Sequence, residues 1–449
     1  MVKDRNWILL TLFYFLSIGL SSAQQELDLE AAIKLGLERK FSIQREKQRV
    51  EMARNWNTMG NAGFWPSVNV GVTESTSLTE INNPASFLSS GNIKGTSFNP
   101  TVGAAWTLFN GFNVRITKDR LDFLERQSLG NAQVVVENSI QSIILAYYTA
   151  LLEEERLNVF ERTLKLSSDR YEYSKLRGQI GTAVTFDILQ DKSAYLTDSS
   201  NYIQQVQNFH NAVRNLNLLM GVDVDLAYEL TDSLFVEPQV FDREDLFNRM
   251  TSDNSNLKNQ YLNQEIFKRD VLLARSSLYP IVSLNLNGSR NQQIQDLSSA
   301  VFANGQTGDS GIKSTTLNYT AGITLNFTLF NGGRIRTQLE NAKVNEQIAL
   351  IQVSELKASL KNNLISNLDQ YNLRSRLLSI AKENVETANL NLQLGTDRYR
   401  NGTISSFDYR DIQINYLTSS LNYLQAIYNV IETETELMRL TGGLSAAYE

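Results

Sequence analysis

The sequence predicts a mixed α and β protein that runs through one structural pattern twice. Three observations predict it. The five prolines, Pro66, Pro84, Pro100, Pro238 and Pro280, leave two very long tracts without any; four runs alternate strictly between apolar and polar residues; and one sequence block returns at a fixed distance.

The chain opens with Lys3 and Arg5 ahead of an apolar stretch from Trp7 to Leu20, followed by Ser21-Ser22-Ala23. This is the pattern of a secretory signal peptide, so residues 1–23 are expected to be removed and the mature chain to start near Gln24. The apolar core is shorter than the roughly 20 residues that a spanning helix needs. No later segment offers a second long charge-free apolar run, which leaves a closed β-barrel as the way for this exported chain to enter a membrane. A cysteine count of zero excludes disulfides, thiolate metal sites and a lipid-bearing cysteine. With 42% hydrophobic and 20% charged residues the composition is that of a water-soluble protein, and hydropathy alone misses a barrel. A net charge of −6 argues against a nucleic-acid partner, which calls for a basic stripe.

Between Gly111 and Gly178 only Gly130 interrupts a helix-compatible composition. At about 1.5 Å per residue such a helix is roughly 100 Å long, far beyond the usual globular length. Within it Ile140, Ile144, Tyr147 and Leu151 recur at spacings of four, three and four. Val353, Leu356, Leu360, Leu364, Leu368 and Tyr371 form a similar stripe in the second tract. Both stripes read as helix-packing core of coiled-coil type.

Trp106-Thr107-Leu108-Phe109-Asn110-Gly111 returns as Phe327-Thr328-Leu329-Phe330-Asn331-Gly332, an offset of 221 (327 − 106). Arg115 pairs with Arg336, Gly181-Thr182 and Phe186-Asp187 with Gly402-Thr403 and Phe407-Asp408, and Leu216, Leu219 and Gly221 with Leu437, Leu440 and Gly442, all at the same offset. Trp65-Pro66 corresponds to Tyr279-Pro280 at a different one, so the length variation lies in between.

After each of those prolines the period changes to two. Val68, Val70 and Val72 alternate with Ser67, Asn69, Gly71 and Thr73, and Val282, Leu284 and Leu286 with Ser283, Asn285 and Asn287. A further run carries Val102, Ala104, Trp106 and Leu108, and the longest goes from Leu317 through Tyr319, Ala321, Ile323, Leu325 and Phe327 to Leu329. These are one-sided strands, the last long enough to cross a bilayer at a tilt. Phe64, Trp65, Trp106, Phe109, Phe112, Tyr279, Phe327 and Phe330 gather where strands meet helices, as an interfacial girdle requires, with packing at the junction as the alternative for any single ring. Polar segments from about Ser75 to Ser97 and from Asn291 to Thr315 are expected as loops between paired strands. Four strands cannot close a barrel, and an open edge in lipid leaves unpaired backbone groups that cost several kcal/mol each, so copies must combine.

The Thr-Leu-Phe-Asn-Gly blocks at Thr107 and Thr328, the turns Gly181 to Asp187 and Gly402 to Asp408, and the fixed offset together resemble the TolC family of outer-membrane efflux proteins over nearly the whole mature chain. The resemblance implies a homotrimeric outer-membrane β-barrel, four strands per chain and twelve in total, continued by a long α-helical coiled-coil periplasmic tunnel, with two internal structural repeats. It divides the chain into a signal peptide (1–23), a first repeat (24–221, strand hairpin about 66–109, tip turn 178–187), an equatorial connector (222–243), a second repeat (244–442, strand hairpin about 280–330, tip turn 400–408) and a tail (443–449). The implied function is that of the exit channel of a tripartite efflux or type I secretion system. Its partners are outer-membrane lipid, a periplasmic adaptor (membrane fusion) protein and an inner-membrane pump of RND, ABC or MFS type.

The resemblance also implies site residues. Asp408 and Asp411, three apart and hence on one helix face, match positions lining the closed periplasmic aperture, where three copies make stacked acidic rings of the kind that favour cations. Ser405-x-x-Asp408 is equally a helix-capping pattern. Asp187 and Tyr399 match a latch between hairpins, and Thr185-x-Asp187 also reads as first-turn capping. The family position that can carry an arginine in this latch is Ile404 here, so the latch is expected to be weaker or to use Arg410. Gly181, Thr182, Ala183, Gly402, Thr403 and Ile404 are implied to meet the adaptor. His210 is the sole histidine, and no phosphate-binding Gly-Lys loop or Gly-x-Ser-x-Gly elbow is present. No enzyme activity, cofactor or metal is expected. The rival function is a structural or adhesive outer-membrane spacer, which has no use for two matched tip turns.

Overall fold

The computed structural model of the chain describes residues 25–444 apart from 84 and 86. The predicted signal peptide and residues 445–449 of the tail lie outside the described residues. In chain order the elements are β1 (Gln25–Leu27), α1 (Leu29–Arg39), α2 (Phe41–Trp56), β2 (Ser67–Asn82), β3 (Leu88–Asn110), α3 (Asn113–Gln179) and α4 (Thr185–Met220). They continue with β4 (Tyr228–Leu230), α5 (Arg243–Asp253), α6 (Ser255–Ser276), β5 (Ile281–Phe302), β6 (Ile312–Asn326), α7 (Arg334–Arg400) and α8 (Ser406–Leu440). The chain forms two compact units. One comprises the described residues up to Gln48, Gly130–Asn259 and the residues from Ser354 on; the other comprises Arg49–Leu129 and Gln260–Val353.

The second unit carries a four-stranded antiparallel sheet in the order β2-β3-β5-β6. Successive side chains of a strand point to opposite faces, so Val68, Val70 and Val72 share a side, as do Leu317, Tyr319, Ile323 and Leu325, and all of these are exposed. The strands run much further than the alternation indicated. β2 and β3 stay paired to Asn82↔Ser90, and β5 extends to Phe302, so strand replaces most of the two polar loops expected from Ser75 to Ser97 and from Asn291 to Thr315. Backbone hydrogen bonds make a strand whatever its side chains are, and here both faces are polar, so the period-two signal vanishes while the ladder continues. Ser75 and Ser97 even link their hydroxyls across it at 2.9 Å. At the other end β6 stops at Asn326, short of Phe327 and Leu329.

In the first unit the apolar stripes become core. Ile140, Ile144, Tyr147 and Leu151 are buried, as are Leu360, Leu364, Leu368 and Tyr371. Leu356, also in the first unit, is half-buried, and Val353, at the end of the second unit, is buried. Among the described residues, α3 holds one window long and apolar enough to cross a membrane, but it is not charge-free, since the longest charge-free stretch of α3 runs only from 138 to 152, and half of the window is buried within the fold.

Tyr147 does more than fill space. Its hydroxyl donates to the Leu27 carbonyl at 2.9 Å, fixing β1, which pairs in parallel with β4. Burial, helped by Asp232 nearby, pushes the phenol well above its ordinary pKa, so it stays a donor. Gly36 lets α1 approach closely, since an added Cβ would overlap Ile143. Beyond the left-handed cap at Gly221 (φ 74°), Asn217 Nδ2 holds the chain by donating to the carbonyls of Val224 (3.1 Å) and Leu226 (2.8 Å). The Leu27 carbonyl also accepts from Thr231 N at 3.2 Å, so we expect Tyr147→Phe to cost about 0.5–1.5 kcal/mol, the net worth of one hydrogen bond, read as a lower thermal unfolding midpoint.

Candidate functional site: the paired helix reversals

Two turns of the same design reverse the chain, one between α3 and α4, the other between α7 and α8. Each helix ends with a glycine in the left-handed region, Gly181 (φ 75°) and Gly402 (φ 71°). Thr182 N donates to Arg177 O at 2.9 Å and Thr403 N to Arg398 O at 2.9 Å, and both threonine hydroxyls reach the same carbonyls. This is the six-to-one closure that satisfies orphan carbonyls at a helix C-terminus. A Cβ at either glycine would meet nothing within 4 Å, so backbone conformation alone demands glycine there.

The helices that follow are capped differently. Ser405 is the N-cap of α8 and forms a full capping box: Asp408 N donates to Ser405 Oγ at 3.1 Å, and Ser405 N donates to Asp408 Oδ2 at 3.3 Å. Asp408 therefore does complement the helix start while its side chain remains exposed, and Asp411 is exposed one turn on. The N-cap of α4 is Val184, which offers no side-chain bond, so Thr185 is not the cap expected from Thr185-x-Asp187. Asp187 sits in the first turn of α4, half-buried. Thr182, Gly181, Gly402 and Thr403 are exposed, and Ala183 and Ile404 half-buried.

Tyr399 is buried. Its ring stacks on Tyr409 (centroids 4.7 Å apart, planes 13° apart), Tyr173 meets it edge-on, and its hydroxyl lies 3.4 Å from Ser174 Oγ. Within one chain the structure does not join Asp187 to Tyr399. Nor does Arg410 turn to Asp187: it makes a two-pronged contact with the buried Asp198, at 2.6 and 2.8 Å.

The two hairpins are tied by a buried polar cluster instead. Asp191, on α4, accepts from Ser174 of α3 and, at 2.6 Å, from Ser406 of α8. Arg170 Nε is 3.0 Å from Asp191 Oδ1, with both side chains almost wholly enclosed, though its N–H is not aimed along that line. Arg170 Nη1 donates to Gln413 at 3.0 Å. Burial lowers the Arg170 pKa, and the Asp191 carboxylate works against that. Sequence reasoning missed Arg170, Asp191 and Asp198, although a signal existed. Thr163, Ser167, Arg170 and Ser174 are all buried at spacings of four, three and four, and Asp191, Asp198 and Gln205 are buried seven apart. The coiled-coil seam continues here in polar residues.

An outer membrane efflux protein signature matches residues 32–222 and 246–443. The toluene efflux pump outer membrane protein TtgC of Pseudomonas putida is 23% identical over 310 residues, covering 68% of this chain but 60% of that relative, so the match spans less than two thirds of its length. Outer membrane protein TolC of Escherichia coli is 21% identical over 373 residues, 77% of this chain and 74% of TolC. The Campylobacter jejuni CmeC outer membrane channel shares the fold, with a TM-score of 0.74 over 92% of this chain and 85% of CmeC at 16% identity. A signature that takes in both long helices, both reversals and the sheet leaves no doubt on the point: the chain belongs to the outer membrane efflux protein family.

Proposed function

We propose that this chain is the outer-membrane exit channel of a tripartite efflux or type I secretion machine, passively conducting cargo handed over by an inner-membrane pump and a periplasmic adaptor. Three copies supply four strands each to one twelve-stranded barrel, and their helices continue it as a coiled-coil tunnel through the periplasm. The sheet is the observation that carries this reading. Among the described residues β2 and β6 pair on one side only, and the apolar face they share is exposed. In lipid such edges cost several kcal/mol per unpaired group, and neighbouring copies that pair with them remove the cost.

The two halves act as structural repeats. In support, α3 and α7 are both 67 residues long, and α7 and α8 begin 221 residues after α3 and α4 (334 − 113 and 406 − 185). The boundaries expected from the sequence, 1–23, 24–221, 222–243, 244–442 and 443–449, form the working division. At the reversals, Asp408 and Asp411 face the aperture as acidic rings, Asp187 and Tyr399 belong to the latch, and Gly181, Thr182, Ala183, Gly402, Thr403 and Ile404 meet the adaptor. The machinery has no catalytic part. Cargo is chosen by the pump, of RND, ABC or MFS type.

The test is a deletion strain complemented with the gene. Loss of export, measured as intracellular build-up of a fluorescent efflux dye or loss of a secreted polypeptide and restored by the gene, is the expected result. Unchanged export together with loss of surface attachment or of envelope spacing would replace the channel by a spacer.

A further inference from the structure

The structure contains its own template for how one copy joins the next. The first hairpin pairs Val68↔Ala104 and Ser67↔Ala105, the second Val282↔Leu325 and Ile281↔Asn326. Adding 214 (279 − 65, from the Trp65-Pro66 and Tyr279-Pro280 match) to the first strand and 221 (327 − 106) to the second converts one set into the other. The two hairpins therefore have the same register, and β3·β5 is the seam between them.

That seam has a counterpart with its partner missing. β3 continues beyond the end of β2 because Trp106, Thr107, Phe109 and Asn110 pair with Leu284, Ser283, Val282 and Ile281 of β5. The matching segment 327–331 lies past the end of β6 and is not strand. Gly111 is tightly enclosed, so that a Cβ there would come within 2.8 Å of Tyr279 Cβ, whereas the equivalent Gly332 has nothing within 4 Å. Phe330 and Leu329 stand 85% exposed, and so, at 64%, does Trp65, the counterpart of Tyr279.

We infer that β6 of one copy pairs antiparallel with β2 of the next in the register of the β3·β5 seam. Leu325 then lies opposite Val72 of the neighbouring copy, Phe327 opposite Val70, Phe330 opposite Val68 and Asn331 opposite Ser67. A bulge falls at Leu329, where β3·β5 shifts register between Thr107 and Phe109. Residues 327–331 become strand on assembly. Trp65 covers Gly332 as Tyr279 covers Gly111, its larger ring taking the room left where Phe112 is replaced by Gly333. The inference rests on the ring of copies proposed above and adds to it a register that the isolated chain does not display.

Because the chain has no cysteine, an engineered pair reports on this contact alone. Residues directly opposite across antiparallel strands have Cα atoms about 4.5–5.5 Å apart, within disulfide range, whereas diagonal neighbours at about 7–8 Å are not. Inside one copy β2 and β6 are three strand spacings apart, about 14 Å, too far to link. Purified Leu325→Cys, Val72→Cys protein, mildly oxidised, is expected to run on denaturing gels as a covalent ladder ending at the trimer and to collapse to monomer with reductant. The shifted pair Leu325→Cys, Val70→Cys is expected to link at least roughly tenfold less. Native mass spectrometry of both variants separates the two levels of failure. A trimer in which the shifted pair links better overturns the register and leaves the ring standing, while monomers without cross-links overturn both.

Discussion

Asp191→Ala is expected to destabilise the paired helix reversals by about 3–5 kcal/mol, the cost of stranding one member of a buried ion pair. Asp191 is where the two hairpins meet: Ser174 and Arg170 reach it from α3, and Ser406 from α8. Without it the Arg170 guanidinium, 1% exposed, is left only with the attraction of Asp198, a carboxylate that Arg410 already engages. Hydrogen exchange by mass spectrometry should show faster exchange in residues 165–200 and 400–415, with little change around Tyr147. Replacing the pair together by well-packed apolar residues, Arg170→Met with Asp191→Leu, should recover most of the loss, since such swaps are often neutral or better. Protection in the single variant equal to wild type would mean that Arg170 finds another acceptor and that the cluster does not hold the hairpins together.

The second large effect is on ion selectivity. Neutralising Asp408 and Asp411 together should take the channel from clear cation preference to a permeability ratio near unity, measured as the reversal potential across a salt gradient. Three copies place six carboxylates at the aperture in the proposed assembly, and charged rings of this kind set selectivity in pores. Asp408 also accepts from Ser405 N and Ser405 Oγ, so its loss removes half of a capping box, worth about 1 kcal/mol. Asp408→Asn, which retains an oxygen acceptor, with Asp411→Asn separates charge from capping: lost selectivity with undisturbed thermal unfolding identifies the charge. Unchanged selectivity in this double variant would move the constriction elsewhere.

Much of the fold is legible in the sequence because its elements are long and simply patterned. The stripe Ile140, Ile144, Tyr147, Leu151 has one helical reading, and Val68, Val70, Val72 one strand reading. The ends of the strands are not legible, because pattern reports burial or lipid contact whereas strand is made by backbone hydrogen bonds. Ser75–Ser97 and Asn291–Phe302 look like loops and are largely ladder. Phe327 and Leu329 look like strand, yet belong to no strand among the described residues. The site divides in the same way. Turn chemistry at Gly181 and Gly402 and the capping box at Ser405 are local, so short motifs reveal them. Arg170, Asp191 and Asp198 come together from separate helices, and only their positions on the heptad seam hint at burial. Attention to apolar stripes passes over polar ones, and the resemblance directed it to Asp187 and Arg410, which the structure does not pair.

The proposed channel is tested most directly by single-channel recording of the purified, inserted protein in a planar bilayer. The expected result is small, cation-selective openings, the signature of a continuous pore narrowed by acidic rings. Trimers shown to be inserted that pass no current under any applied voltage would contradict it and leave a barrel that only anchors.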